Sequence, residues 1–102
     1  MSKKHEITAI IYDKKGNVLS IGKNSYLKTH TRQAHFAKLV GEDHKVYLHA
    51  EVHAITRCRN IEKAHKILIT RYHADGRPAY AAPCHICQEA IRQSGIKIIE
   101  HT

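Results

Sequence analysis

Cys84 and Cys87 stand three residues apart in the run Pro83-Cys84-His85-Ile86-Cys87, a spacing that puts both sulfurs on one face at the start of a helix. The helix dipole there lowers thiol pKa and favours the thiolate, the form that binds a metal or attacks a disulfide. The pair alone leaves two chemistries open, zinc ligation and a thioredoxin-like redox couple. His49-Ala50-Glu51, which also begins a helical pattern, shifts the balance toward zinc. One imidazole and two thiolates make three ligands and leave a fourth tetrahedral position for water, the arrangement of a catalytic site, whereas a structural zinc site usually closes with four. Glu51, two residues beyond the histidine, is then free to move protons rather than bind the metal.

These residues can meet only if the elements that carry them converge. Residues 49–59 read as a helix, with Ala50, Ala54, Ile55 and Cys58 on one side. Residues 84–94 read as a second helix, opened by Pro83, with Cys87, Ala90, Ile91 and Ser94 at helical spacing and Gly95 as its stop. Between them residues 65–72, with Ile67, Leu68 and Ile69, form a buried strand, and residues 96–100 form the last one. That strand–helix–strand unit should be a right-handed parallel crossover. Ahead of it, residues 6–12 and 18–21 flank the turn Asp13-Lys14-Lys15-Gly16-Asn17 and make a hairpin, closed by Gly22-Lys23-Asn24. Its first strand carries apolar residues on both faces and should be central and covered on both sides.

The intervening residues are less regular. A short helix is expected over residues 32–39, with Thr31 as N-cap and Gly41 as stop. After the third strand, the Asp75-Gly76 pair suggests a tight reversal, with residues 78–82 running back beside that strand. The expected architecture is α/β, a mixed sheet of about four strands with the zinc site at two helix N-termini. Two helices lying together cover one sheet face, so the other needs the 25–48 segment or another subunit, and a homo-oligomer is expected.

At 102 residues and 42% hydrophobic content, the chain fits one compact domain spanning 1–102. Nothing in it approaches an eighteen-residue apolar membrane span or a secretory leader, which points to a cytoplasmic protein with no membrane partner. An odd count of three cysteines argues against a disulfide framework. The excess of 17 Lys and Arg over 9 Asp and Glu, +8 in all, favours an anionic partner such as a nucleotide or single-stranded nucleic acid, though such charge can equally serve solubility.

His-x-Glu followed by Pro-Cys-x-x-Cys is the signature of zinc deaminases, and the chain resembles the cytidine and deoxycytidylate deaminase superfamily, which also includes the tRNA adenosine deaminases. The resemblance runs from about Val18 to Ile99 and takes in Gly22-Lys23-Asn24 and Gly95-Ile96-Lys97-Ile98-Ile99. The run from His49 to Ile55 looks most like that of deoxycytidylate deaminases, with His53 where Asn is common. The resemblance implies zinc on His49, Cys84 and Cys87 and Glu51 as proton shuttle. It also implies Asn24 as a substrate contact and backbone groups around Ala50 and Ala82-Pro83 on the base edge. The implied reaction is hydrolytic loss of ammonia from a cytosine nucleoside or nucleotide. The connection from Tyr72 to Ala82 is longer than usual in these enzymes.

Other residues have two readings each. His53 is a substrate-side or packing residue, and Cys58 is a buried structural thiol. His85 either reaches substrate or faces solvent. Arg71, Tyr72, Arg77 and Tyr80 interleave aromatic and basic groups, as a phosphate or an unstacked base would require, or as an ordinary exposed hairpin would show. Lys28, Arg32, Lys38 and Lys45 give the long loop a basic tint. Two further functions remain open from the residues: deamination of a base within single-stranded DNA or RNA, and a non-catalytic nucleic-acid-binding module. The second requires a fourth protein ligand, His53 or His85, to close the zinc site.

Overall fold

The computed structural model describes residues 7–24, 49–73 and 75–102. The expected helix over 32–39 and the basic residues Lys28, Arg32, Lys38 and Lys45 lie outside them. Among the described residues, strands β1 (Ile7–Tyr12), β2 (Val18–Lys23), β3 (Lys66–Arg71) and β4 (Ile98–His101) form one sheet in the order β2-β1-β3-β4. The hairpin pair and the β1–β3 pair are antiparallel, and β3 and β4 are parallel, as the strand–helix–strand reading requires. The mixed α/β sheet is therefore the one the sequence predicts. Asp13 shapes the hairpin turn: its carboxylate accepts the backbone N–H groups of Lys15 and Asn17 and the Asn17 amide, while Gly16 takes a positive φ of 88°.

Helices α1 (Ala50–Arg57) and α2 (His85–Ser94) pack over the same sheet face. Ala9 and Ile11 of β1, Ile67 and Ile69 of β3, Val52 and Ile55 of α1, and Ile86 and Ile91 of α2 make the core. Among these, Ile11, Ile67, Ile69, Ile86, Ile91 and Val52 are essentially inaccessible, each worth about 1.5–3 kcal/mol of burial. On the opposite face Ile10, Tyr12 and Leu68 are half-buried, and Val18, Ile21 and Ile98 are exposed. β1 is central as expected; among the described residues both helices lie on its Ala9–Ile11 face, and Ile10 and Tyr12 on the other face are half-buried.

Three boundaries differ from the sequence reading, and each difference bears on the site. His49 and Cys84 have extended backbones and are the N-caps of α1 and α2 rather than their first helical residues. Pro83 accordingly precedes the cap. Residues 78–82 run back beside the end of β3 only briefly: Tyr72 and Pro78 bridge antiparallel, His73 N–H donates to Arg77 O and Ala79 N–H to Arg71 O, after which Ala81 N–H donates to Thr102 O. The reason is topological, since β3 already pairs with β1 on one edge and β4 on the other. Gly95, at φ 85°, ends α2 as the sequence indicates.

Candidate metal and catalytic site

Because β3 and β4 run parallel with α2 between them in the chain, the N-termini of α1 and α2 arrive at the same end of the sheet. The two N-cap residues, His49 and Cys84, meet there with Cys87 from the first turn of α2. The ligand atoms of the three lie within 4.8 Å of one another. His49 Nδ1 is 3.5 Å from Cys84 Sγ and 3.3 Å from Cys87 Sγ. A tetrahedral zinc bound by one imidazole nitrogen and two thiolates separates nitrogen from sulfur by about 3.6 Å, so the donors are already near their metal-bound spacing. The chemistry of the donor set and its geometry both fit zinc.

The electrostatics agree. The Cys84 thiol is drawn well below its ordinary range by a hydrogen bond from Cys87, helped by His49 and by the Cys87 backbone N–H, against the opposing effect of burial. Cys87 is pushed up by that same bond and by its own burial. Metal binding requires both thiols as thiolates, and a dication between the sulfurs would stabilise that form. The first-turn N–H groups of both helices have no helical acceptor, since the first helical bonds are His53 N–H to His49 O and Gln88 N–H to Cys84 O.

Glu51 sits in the first turn of α1 and is 5% exposed, one of two buried polar residues among those described. Burial raises its carboxyl above the ordinary value, opposed by its own backbone N–H, by Cys87 and by His49. A carboxyl whose neutral form is favoured by burial can hold a proton and hand it on to a neighbouring group.

β2 holds α1 in place through three contacts. Ser20 Oγ donates to Ala54 O at 2.7 Å, and Gly22 lies so close to α1 that a Cβ would fall within 3 Å of Ala50 O, Ala54 N and Ala54 Cα. Lys23 N–H donates to His53 Nδ1 at 3.0 Å. Lys23 O lies 3.1 Å from the same ring nitrogen, so His53 meets the Lys23 backbone and ties the helix to β2. Ser20 carries no motif, yet its alternation with Gly22 places two small residues on the helix-facing side of one strand, a signal for close approach.

The remaining expected residues divide. Asn24 is half-buried at the end of β2, its amide oxygen accepting Ile7 N–H at 2.9 Å. Ala50 is fully buried, and Ala82 and Pro83 are half-buried just ahead of Cys84. His85 is exposed and lies outside the cluster. Cys58 is buried beside the core, as a structural thiol should be. Tyr72 is 50% and Tyr80 76% exposed, the latter edge-on to His101 with centroids 5.4 Å apart. Arg71 is half-buried with its Nε unpartnered, and Arg77 is paired with Asp75 at 2.6 Å. Thr102, unmarked in the sequence reading, bonds to Ile69, Arg71, Ala79 and Ala81.

Among the described residues no helix is long and apolar enough to cross a membrane. A search of curated proteins finds no match to the chain. The family model for the cytidine and deoxycytidylate deaminase zinc-binding region matches residues 1–100, which takes in His49, Glu51, Cys84, Cys87 and every strand but the last residue of β4. Nearly the whole chain is covered by that match and its zinc-binding residue types converge in space, so the chain belongs to the cytidine and deoxycytidylate deaminase family.

Proposed function

We propose that the chain hydrolyses the amino group of a cytosine base carried by a nucleoside or nucleotide, with deoxycytidylate the first substrate to test. The observation that carries this reading is a three-donor group with a buried carboxyl in the adjacent helical turn. His49, Cys84 and Cys87 are the ligands. Zinc, when bound there, acidifies water and so supplies a nucleophile near neutral pH. Glu51 accepts a proton from the attacking water and delivers it to the ring nitrogen beside C4, then passes one to the departing amine. A C–O bond forms as the C–N bond breaks, and water and the amino base become the oxo base and ammonia. Asn24 and the backbone at Ala50, Ala82 and Pro83 orient the base. Smaller, substrate-side roles go to His53, Arg71, Tyr72, Tyr80 and His85.

A closed structural zinc site has less support. His53, one candidate fourth ligand, is engaged with Lys23, and His85 is turned to solvent. Cys84→Ser should weaken zinc binding by tenfold or more, as read by competition with a chromogenic chelator, and remove ammonia release with it. Unchanged zinc affinity would remove Cys84 from the ligand set.

Zinc-loaded protein should release ammonia from at least one of cytidine, deoxycytidine and their monophosphates. Turnover of short oligonucleotides but none of these would transfer the assignment to a polymer substrate. That second reading draws support from exposed Tyr80 and the charge of +8. If it holds, Tyr80→Ala should weaken oligonucleotide binding about tenfold through lost stacking.

A further inference from the structure

We propose that Thr102 is a positioning residue for the zinc site, acting through the segment that delivers Cys84. Ala79 and Ala81 are buried while Tyr80 between them is exposed, so this stretch is held by its backbone rather than by large side chains. Ala79 N–H donates to Arg71 O at 2.8 Å, and the other backbone ties of the stretch go to Thr102. Its hydroxyl accepts Arg71 N–H at 3.1 Å and donates to Ala79 O at 2.5 Å, its carbonyl accepts Ala81 N–H at 2.9 Å, and its N–H donates to Ile69 O at 3.0 Å. One residue thereby ties the end of β3 to both sides of the Tyr80 peptide unit.

Cys84 follows Ala81 by three residues, a reach of at most about 11 Å. Unlike Cys87, which is fully buried within α2, Cys84 is only half-buried and lies outside the helix as its N-cap. Its position depends on the incoming strand of chain. With Ala79 and Ala81 fixed, Cys84 arrives beside His49 before any metal does; with them loose, zinc binding must order the segment and is weakened accordingly. Ala82 and Pro83, which the proposed function places on the base edge, ride on the same segment, and that part of the inference rests on the deaminase reading. The effect on metal does not.

The test compares Thr102→Val, which keeps the shape and loses the hydroxyl, with Thr102→Ser, which keeps the hydroxyl. Zinc affinity by chelator competition should fall roughly tenfold in Thr102→Val and recover to within about threefold of wild type in Thr102→Ser. The cobalt-substituted protein should show an altered thiolate-to-metal absorption band in the first variant and a normal one in the second. If Thr102→Val merely melts earlier, with zinc affinity and cobalt spectrum unchanged, the residue is structural and the inference fails. An equal loss in Thr102→Ser also overturns it, because the hydroxyl would not be the cause.

Amide exchange in the wild-type chain supplies a readout independent of any variant's folding. Because coupling is reciprocal, zinc should slow exchange at Ala81, and no change on metal removal would overturn the inference. Loss of deaminase activity on every substrate, with zinc affinity behaving as described, would count against the proposed function and leave this inference standing.

Discussion

Glu51→Gln should reduce turnover by about 10²–10⁴-fold while zinc content stays at the wild-type level. The two halves of this expectation come from different features. Turnover falls because an amide of the same shape can neither accept a proton from the attacking water nor hand one to the leaving amine. Zinc stays because the donor group consists of His49, Cys84 and Cys87, and Glu51 lies outside it. Misfolding is a poor rival explanation. Burial penalises the carboxylate form of Glu51, so a neutral side chain of equal size should be tolerated in that position. The decisive measurement pairs steady-state ammonia release with elemental zinc analysis on the same preparation. More than a tenth of wild-type turnover would exclude Glu51 as the proton carrier, and lost zinc would make it a ligand instead.

Local sequence made the metal donors legible because each belongs to a short pattern whose chemistry depends on spacing. Cys84 and Cys87 share a helix face at three residues, and His49 sits two residues before a carboxyl. The sheet was legible for a related reason: runs such as Ile67-Leu68-Ile69 announce strands, and Gly95 announces a stop. The boundaries at the site were not. Whether His49 and Cys84 are first helical residues or N-caps is decided by one pair of backbone angles, to which hydrophobic periodicity is blind. The return of 78–82 beside β3 is shorter than expected for a similar reason: the reversal after Tyr72 was legible and pairing reaches Ala79, but the occupancy of both β3 edges is a property of the whole sheet. Thr102 left no trace at all, since a threonine near a strand end is ordinary until the chain brings Ala79 and Ala81 to it.

Gly22→Ala should be the most damaging of the conservative substitutions, lowering stability by about 3 kcal/mol, at the upper end of the usual overpacking cost. An added methyl would fall within 3 Å of Ala50 O, Ala54 N and Ala54 Cα, all backbone atoms of α1. A side chain could rotate away from such a contact, but a helix backbone cannot, so α1 must move off β2 as a body. That movement would strain the Ser20–Ala54 and Lys23–His53 hydrogen bonds that hold the same pair of elements together. For a domain of this size the expected fall in melting temperature is about 12–24 °C. Ser20→Ala, which deletes one hydrogen bond and adds no atom, should cost only about 1 kcal/mol and so sets the scale. The consequence for function follows from where the strain lands. Ala50 is the first residue of α1 and His49 is its N-cap, so displacing the helix carries one zinc donor away from the two sulfurs on α2. Zinc affinity should therefore fall in Gly22→Ala even well below its melting temperature, and hardly change in Ser20→Ala. A Gly22→Ala protein that melts within 2–3 °C of wild type, which corresponds to well under about 1 kcal/mol, would show that β2 and α1 do not approach so closely.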